Sequence, residues 1–333
     1  MAFYHWLRRY KKSDAKWIAE HLLKLRADIA QSKLGKRSAN SLVIGSWNIR
    51  AFDDGKPRRE ESFHYIAEII GNFDICAIQE VKQDLAPLEK LNTLLGPNWS
   101  YFVTDITAGG KGNTERQAFF FNTNKVQFRN LVGELVLGPE ARLNHGEIAR
   151  TPFFASFQAG WFKFTLVSVH IIFGGSSAEQ KQMRADEVQA LAEIAAERAK
   201  DEGQVYVLIG DMNIESRDDK IMAGLTNNNL FAPLFGPTNL KGNKFYDQIA
   251  FTGEKVRTRY LQSGNFDWRT AVYRDDEKDH YKPIAIAARD GEEYTNWDKA
   301  YEAYFASFEM SDHLPIWVEL ETDYSNDYLR RYT

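Results

Sequence analysis

The stretch Val205-Tyr-Val-Leu-Ile-Gly-Asp-Met-Asn213 constrains the fold more than any other. Its first five residues, Val205 to Ile209, are apolar or aromatic and make a buried strand. Gly210 lets the backbone turn, and Asp211 and Asn213 follow at once. In an extended chain, residues two apart point to the same side. A carboxylate and an amide therefore face one way at the end of a buried strand. Such a place suits a divalent cation or a phosphate, because an unpaired buried charge is costly there.

The pattern recurs. Ser41-Leu-Val-Ile-Gly-Ser-Trp-Asn48 is an apolar run ending in a carboxamide. Asp74-Ile-Cys-Ala-Ile-Gln-Glu80 ends in a carboxylate, and Phe164-Thr-Leu-Val-Ser-Val-His170 ends in an imidazole. Ser311-Asp-His313 precedes a last strand, Leu314 to Leu320. Strand ends on one edge of a sheet converge in space, so these clusters are expected to form one site.

Composition bounds the rest. With 333 residues, 44% hydrophobic and 14% aromatic, the chain suffices for one large or two modest domains. Mean hydropathy is −0.47, and no apolar run approaches the ~18 residues of a transmembrane helix. Met1-Ala-Phe-Tyr-His-Trp-Leu-Arg-Arg9 carries charges within its apolar part and has no small-residue cleavage site, unlike a signal peptide. The single cysteine, Cys76, excludes an intrachain disulfide and reads as a buried small hydrophobe. A reducing cytoplasm is the default expectation, with a disulfide-free secreted protein as the alternative. Residues 1–37 hold ten Lys/Arg and three Asp/Glu, a net of +7, which leaves −11 on the rest of a chain whose total is −4. An acidic body argues against broad non-specific affinity for nucleic acid. A phosphate substrate remains compatible with it, because a bound cation supplies positive charge.

Taken in order, residues 3–32 read as a helix, with Ser13-Asp14 able to start a second segment. Arg8, Arg9, Lys11, Lys12 and Lys16 make one end basic. A helical arm packed through its apolar side is favoured over a membrane-surface or DNA-contacting arm. The pattern then gives a strand at 42–47, a helix at about 58–71, a strand at 75–79 and a helix from Leu85 to Leu95 ended by Gly96-Pro97. A short strand, Tyr101 to Val103, comes next. Ala108-Gly-Gly-Lys-Gly-Asn113 lacks the spacing of a phosphate-cradling loop and reads as flexible backbone. Gln117 to Phe121 and Val126 to Leu137 are strands, and Phe153 to Phe157 with Phe162 to Val169 is a hairpin turned at Ala159-Gly160. Ser177 to Lys200 is a long amphipathic helix, and strands lie beyond it at 247–251, 255–261 and 314–320. Helices alternating with strands, with hairpins mixed in, suggest an α/β fold with mixed sheets. The expected organisation is an arm and linker over 1–40, a catalytic domain over 41–322 and a tail over 323–333. Residues 274–308, charged and rich in Tyr and Trp, read as an insertion with a helix near 296–308.

Trp47-Asn48, Gln79-Glu80, Gly210-Asp-Met-Asn213 and Ser311-Asp-His313, in this order, resemble the endonuclease/exonuclease/phosphatase superfamily over roughly residues 41 to 320. Within it the chain looks most like the deoxyribonuclease I branch. Asn48-Ile-Arg50, Gln79-Glu-Val-Lys82, Glu115-Arg-Gln-Ala-Phe-Phe-Phe121 and Arg150-Thr-Pro152 carry that likeness. Val169-His170, Tyr246-Asp-Gln-Ile249, Phe266-Asp-Trp268 and Ser311-Asp-His313 continue it. The resemblance implies a four-layer α/β/β/α sandwich with two mixed sheets.

Hydrolysing a phosphodiester needs a cation, an aligned water and a proton for the leaving oxygen. Hard oxygen ligands suit Mg²⁺, with Mn²⁺ or Ca²⁺ as substitutes. Glu80 fits as principal ligand with Asn48 beside it, and Asp312 as a further carboxylate. No His-Glu-x-x-His motif or Cys/His cluster supports zinc. The resemblance further implies that Glu115 orients His170 and that Asp247 orients His313, the two imidazoles sharing general acid and base work. Asp211 and Asn213 would hold the phosphate or a second metal, or Asp211 would act as base. Arg50 and Lys82 match positions that approach DNA, and Arg150 one near the phosphate.

Each residue alone has a plainer reading. Asn48 could cap a strand end, Glu80 be a solvated edge carboxylate, Asp211 and Asn213 form an Asx-turn, and His170 be a satisfied buried histidine. Glu115 and Asp247 could be salt-bridge residues. Five such accidents in family order weigh against that reading. His5, His21, His64, His145 and His280 lack motif context and read as structural or exposed. The first expectation is a Mg²⁺-dependent DNA endonuclease, with nucleic acid as substrate and no stable protein partner implied. An inositol-phosphate phosphatase or a sphingomyelinase-like phospholipid phosphodiesterase is the alternative, and a non-catalytic scaffold the third reading.

Overall fold

Alternation along the central strands dictates the layering. In β1 (Ser41–Phe52), Leu42 and Ile44 enter one apolar cluster while Val43, Trp47 and Ile49 enter another. In β2 (Ile75–Val81), Ile75 and Ala77 face one way and Cys76 and Ile78 the other. In β7 (Phe162–His170) and β8 (Val205–Asp211), Phe164, Leu166, Val207 and Ile209 oppose Val167, Val169, Tyr206 and Leu208. Strands apolar on both faces must be covered on both faces. Two sheets packed together with helices outside each satisfy that requirement, and this is the architecture of the computed structural model. It describes residues 2–52, 57–106, 115–136, 148, 150–253 and 259–333.

The remaining strands are β3 (Trp99–Val103), β4 (Arg116–Asn122), β5 (Gln127–Glu134), β6 (Phe153–Ala159), β9 (Asp247–Phe251), β10 (Tyr260–Asn265) and β11 (Ile316–Glu321). One sheet has the order β10-β11-β1-β2-β4-β3 and the other β5-β6-β7-β8-β9. Aromatic side chains knit the two faces together. Phe119 of β4 stacks on Phe153 of β6 with centroids 4.8 Å apart, and Phe102 of β3 meets Phe128 of β5 at 4.6 Å. Such pairs add about 0.5–1.5 kcal/mol beyond their buried area.

Helices α1 (Lys12–Gln31), α2 (Glu60–Ile70) and α3 (Ala86–Leu95) cover the first sheet, with Lys278–Ala287 and the helical stretch 297–309 beside them. Helices α4 (Ala178–Glu202) and α5 (Lys220–Thr226) cover the second. A capping box of Ser177 and Gln180 starts α4, and left-handed Gly203 ends it.

The helix read over 3–32, with a second segment able to start at Ser13-Asp14, is two pieces. A 3₁₀ turn spans His5–Arg9, Tyr10 is extended, and α1 begins at Lys12, before the Ser13 expected to start it. Ile18, Leu22, Leu25 and Ile29 of α1 are buried, while Arg8, Arg9, Lys11, Lys12 and Lys16 are exposed. His21 reaches Glu277 at 2.8 Å, and His280 stacks on Trp17 at 3.9 Å. Burial pushes His64 down to about 4, and Tyr10 bonds its ring. The strand read at 255–261 lies at 260–265, where it pairs with β11 from Tyr260↔Leu320 to Asn265↔Ile316. Partner register, not its own weak strand composition, sets that position. Strand β5 ends at Glu134, short of the expected Leu137. The loop Ala108–Asn113, His145 and residues 254–258 lie outside the described residues.

Topology gathers the polar ends. β1 runs parallel to β2, and β7 parallel to β8. β4, β9 and β11 run antiparallel to those neighbours. The C-terminal ends of β1, β2, β7 and β8 thus share a rim with the starts of β4, β9 and β11. Gly210 lies in that rim at φ +132°, where a Cβ would overlap the Val169 carbonyl oxygen. Gly210→Ala is expected to cost about 2 kcal/mol or more in urea unfolding. Stability within about 0.5 kcal/mol of wild type would contradict this.

Candidate active site

One amide joins the two sheets at the rim. Asn48 Nδ2 donates to Glu80 Oε1 at 3.0 Å in its own sheet and to Asp211 Oδ2 at 3.1 Å in the other. Glu80 can reach inward because β2 is irregular there: its φ is +61° and the ladder to β4 slips between Ile78 and Val81. Its other oxygen accepts from the Ala51 amide at 2.8 Å. Ala51, Glu80 and Asn213 all hold positive φ around the site, a conformation that costs a non-glycine residue about 1–3 kcal/mol and clusters at functional positions.

In the second sheet His170, Asp211 and Asp247 lie side by side across β7, β8 and β9. Asp211 Oδ1 accepts from the Asn213 amide at 2.9 Å, the Asx-turn that the spacing suggested. Its Oδ2 is left facing the site, 3.6 Å from His170 Nε2 and 3.9 Å from His313 Nε2. Asn213 gives its side-chain amide to the Ile171 carbonyl at 2.7 Å.

Each imidazole has a carboxylate behind it. His313 Nδ1 lies 2.8 Å from Asp247 Oδ2. Burial opposes charge on His313, but Asp247, then Asp211 and Asp312, outweigh it and hold its pKa well above the ordinary histidine value. Burial raises the Asp211 carboxyl, and Asp247 adds to that while the imidazoles oppose it. His170 Nδ1 lies 3.1 Å from Glu115 Oε2, which Arg150 Nε also approaches at 3.0 Å. Neither approach is aligned for a hydrogen bond, and all three atoms lack an aligned partner. Arg150 to Glu115 is an ion pair, and the His170 ring lies beside it. Lys82 Nζ completes the cluster 3.3 Å from Glu115 Oε1. Burial works against the Glu115 charge, but His170, Arg150 and Lys82 overcome it and hold the carboxyl at about 2.

The structure therefore brings Asn48, Glu80, Asp211, His170 and His313 around one point, with Glu115, Asp247, Lys82 and Arg150 behind them. Asp312 is half-buried and acts on His313 through space. Arg50 turns away from this point: its guanidinium donates to the Ala303 carbonyl at 3.2 Å and the Ser307 hydroxyl.

Two positioning contacts escaped the sequence reading. Ser311 Oγ donates to the Asn48 carbonyl at 2.6 Å and accepts from the His313 amide at 3.0 Å. Trp47 Nε1 donates to the His313 carbonyl at 2.9 Å. The Ser-x-His spacing is a hydroxyl-turn signature that points to the first. Nothing local points to the second, which spans the sheet from β1 to the approach to β11.

A divalent cation fits this donor set. Asn48 Oδ1 is buried without a partner beside two carboxylates. Turning the amide over would set three oxygens facing one another, the hard-ligand group that Mg²⁺ takes. Asp211, Asp247 and His313 also bring ligand atoms within 4.8 Å of one another and could hold a metal ion. The His313 Nδ1–Asp247 Oδ2 bond leaves His313 Nε2 and Asp247 Oδ1 as the atoms that could turn to an ion there.

The sequence profile of the Endonuclease/Exonuclease/phosphatase family matches residues 45–300. The chain belongs to that family, whose members are hydrolases acting on phosphate esters. Deoxyribonuclease gamma of Rattus norvegicus is 23% identical over 298 residues, covering 80% of this chain and 91% of that protein. Deoxyribonuclease-1 of Equus caballus is 35% identical over 92 residues, so that match spans 26% of this chain and only 33% of that protein. Among solved structures, mannosyl-6-phosphatase of Bacteroides thetaiotaomicron superposes with a TM-score of 0.57 at 18% identity, over 84% of this chain and 99% of that one. The human Nocturnin catalytic domain gives 0.52 at 13% identity, over 87% and 98%. These two likenesses concern the fold. Among the described residues no helix is long and apolar enough to cross a membrane.

The Glu115 pKa carries a stability prediction. A carboxyl lowered in the folded state, from 4.5 to about 2, stabilises the fold fully above its unfolded value. That contribution is lost as pH falls through the folded value. Glu115→Gln is therefore expected to be less stable than wild type by about 3 kcal/mol above pH ~5, the gap closing toward pH ~2. Urea unfolding across that range measures it. A gap independent of pH would contradict the assigned cause.

Proposed function

We propose that the protein is a divalent-metal-dependent phosphodiesterase that cuts DNA as an endonuclease. One observation carries the reading: two imidazoles, each backed by a buried carboxylate, turn their Nε2 atoms toward the same oxygen of Asp211. A phosphodiester has an attacking water to deprotonate on one side and a leaving alcohol to protonate on the other. Two proton-transfer groups flanking one point suit that task.

His313, held protonated by Asp247, donates from Nε2 to the leaving oxygen. His170, oriented by Glu115, takes the proton of the attacking water. Glu80 and Asn48 would hold Mg²⁺, with Asp312 available as a further carboxylate. A cation there supplies positive charge against the phosphoryl oxygens. Asp211 lies between the imidazoles and keeps their free nitrogens directed inward, and Asn213 fixes the turn that places it. Lys82 and Arg150 hold Glu115 and extend a positive edge toward a phosphate. Arg50 contributes by tying β1 to the stretch 297–309, not by reaching DNA. The likeness to deoxyribonuclease gamma across most of both chains favours DNA as substrate.

Supercoiled-plasmid nicking tests this. Activity is expected with Mg²⁺ and none with EDTA. Glu80→Ala, His170→Ala and His313→Ala should each lower the rate at least ~10²-fold. Any of the three near wild type would remove that residue's role. Hydrolysis of a phosphomonoester or sphingomyelin by wild type that leaves plasmid intact would overturn the DNA reading and keep the site.

A further inference from the structure

The loop 171–177 leaves β7 directly after His170 and is fixed along its length. The Ile171 amide donates to the Asp211 carbonyl at 2.9 Å, and the Ile171 carbonyl accepts from Asn213 Nδ2 at 2.7 Å. Two side chains one turn apart on α4 hold the far half of the loop. Gln180 donates to the Gly174 carbonyl, and Arg184 Nη1 donates to the carbonyls of Phe173 and Gly175. Gly174 and Gly175 take φ of +63° and +135°, and the Gln180 amide fills the space a Cβ on Gly175 would need. Gln180 and Arg184 of α4 thus hold the far half of the loop.

The clamp presents a single aromatic ring. Phe173 is 38% exposed, and the Arg184 guanidinium lies over it, 4.8 Å from the ring centroid. Arg184 itself is only 2% exposed, and Glu215, Asp219 and Asp211 act on its charge through space. Its guanidinium fixes the carbonyls and backs the ring of a residue that stays open to solvent. Phe173 stands three residues after His170, so the chain allows its Cα at most about 11 Å from that of the imidazole.

We propose that Phe173 is the stacking platform for the nucleobase next to the scissile phosphate. The proposal rests on the DNA reading above and names the contact that reading lacks. Every base has a flat π-face, so an aromatic ring binds bases without reading sequence. A base inside a duplex has both faces covered by its neighbours. The platform therefore acts on a strand that is single, or opened, at that nucleotide. Backing by Arg184 keeps the ring in place before the base arrives, which lowers the ordering cost of binding.

The test compares two substrates, a single-stranded oligonucleotide and methyl 4-nitrophenyl phosphate, a diester without a base. Phe173→Ala and Phe173→Leu are expected to lower kcat/KM on the oligonucleotide about tenfold, mainly through KM. Phe173→Trp should stay within about threefold of wild type, and all variants should match wild type on the baseless diester. Equal losses on both substrates, or no loss on the oligonucleotide, would overturn the proposal while the DNA reading stands. Wild-type hydrolysis of the baseless diester with no cleavage of any DNA would overturn both.

Discussion

The Asn48 amide is the interaction on which the site depends. It donates to Glu80 in one sheet and to Asp211 in the other, at 3.0 and 3.1 Å. Hydrogen bonds to ionised acceptors in a buried setting are strong, and unpaired carboxylates there are costly. Without that amide, buried Asp211 and half-buried Glu80 from separate layers would face each other with nothing between them. With it, the two sheets are joined at this rim. Ser311 and Trp47 hold the arrangement from behind, by bonding the Asn48 carbonyl and the His313 carbonyl.

Charge is layered around that bond. Glu80 and Asp211 face inward, the imidazoles flank them, and Lys82 and Arg150 lie beyond Glu115 on the His170 side. The two dyads are not equivalent. His313 and Asp247 make a 2.8 Å bond with almost no solvent access, while Glu115 is shared among Lys82, Arg150 and the His170 ring. That asymmetry is the physical basis for giving His313 the proton to donate and His170 the proton to accept. The helical stretch 297–309 supports the same rim from outside through Arg50, and Glu309 accepts from Ser62 and the Arg59 amide.

The strand ends were legible because periodicity and polarity change together there. Val205 to Ile209 followed by Gly-Asp-Met-Asn gave the position of β8 and its turn, and Glu80 and His170 likewise stand at the ends of β2 and β7, while β1 runs past Asn48 to Phe52. Contacts between distant segments left no local trace. Arg50 read as a DNA-facing residue because its motif neighbours line the site, yet its guanidinium is turned to Ala303 and Ser307, some 250 residues away. Strand β10 was displaced because Tyr260 to Asn265 owes its pairing to β11. Phe173 gave no signal at all, since an aromatic after two isoleucines reads as more core until the Arg184 clamp is seen.

The central claim is that the cation belongs with Asn48 and Glu80, and proton transfer with the two histidine dyads. Mn²⁺ binding, measured by electron paramagnetic resonance on wild type, Glu80→Gln and His313→Ala, separates the two directly. Glu80→Gln should bind Mn²⁺ at least about tenfold more weakly, and His313→Ala should bind it within about threefold of wild type. Binding kept by Glu80→Gln and lost by His313→Ala would place the ion among Asp211, Asp247 and His313 instead, and would contradict the account.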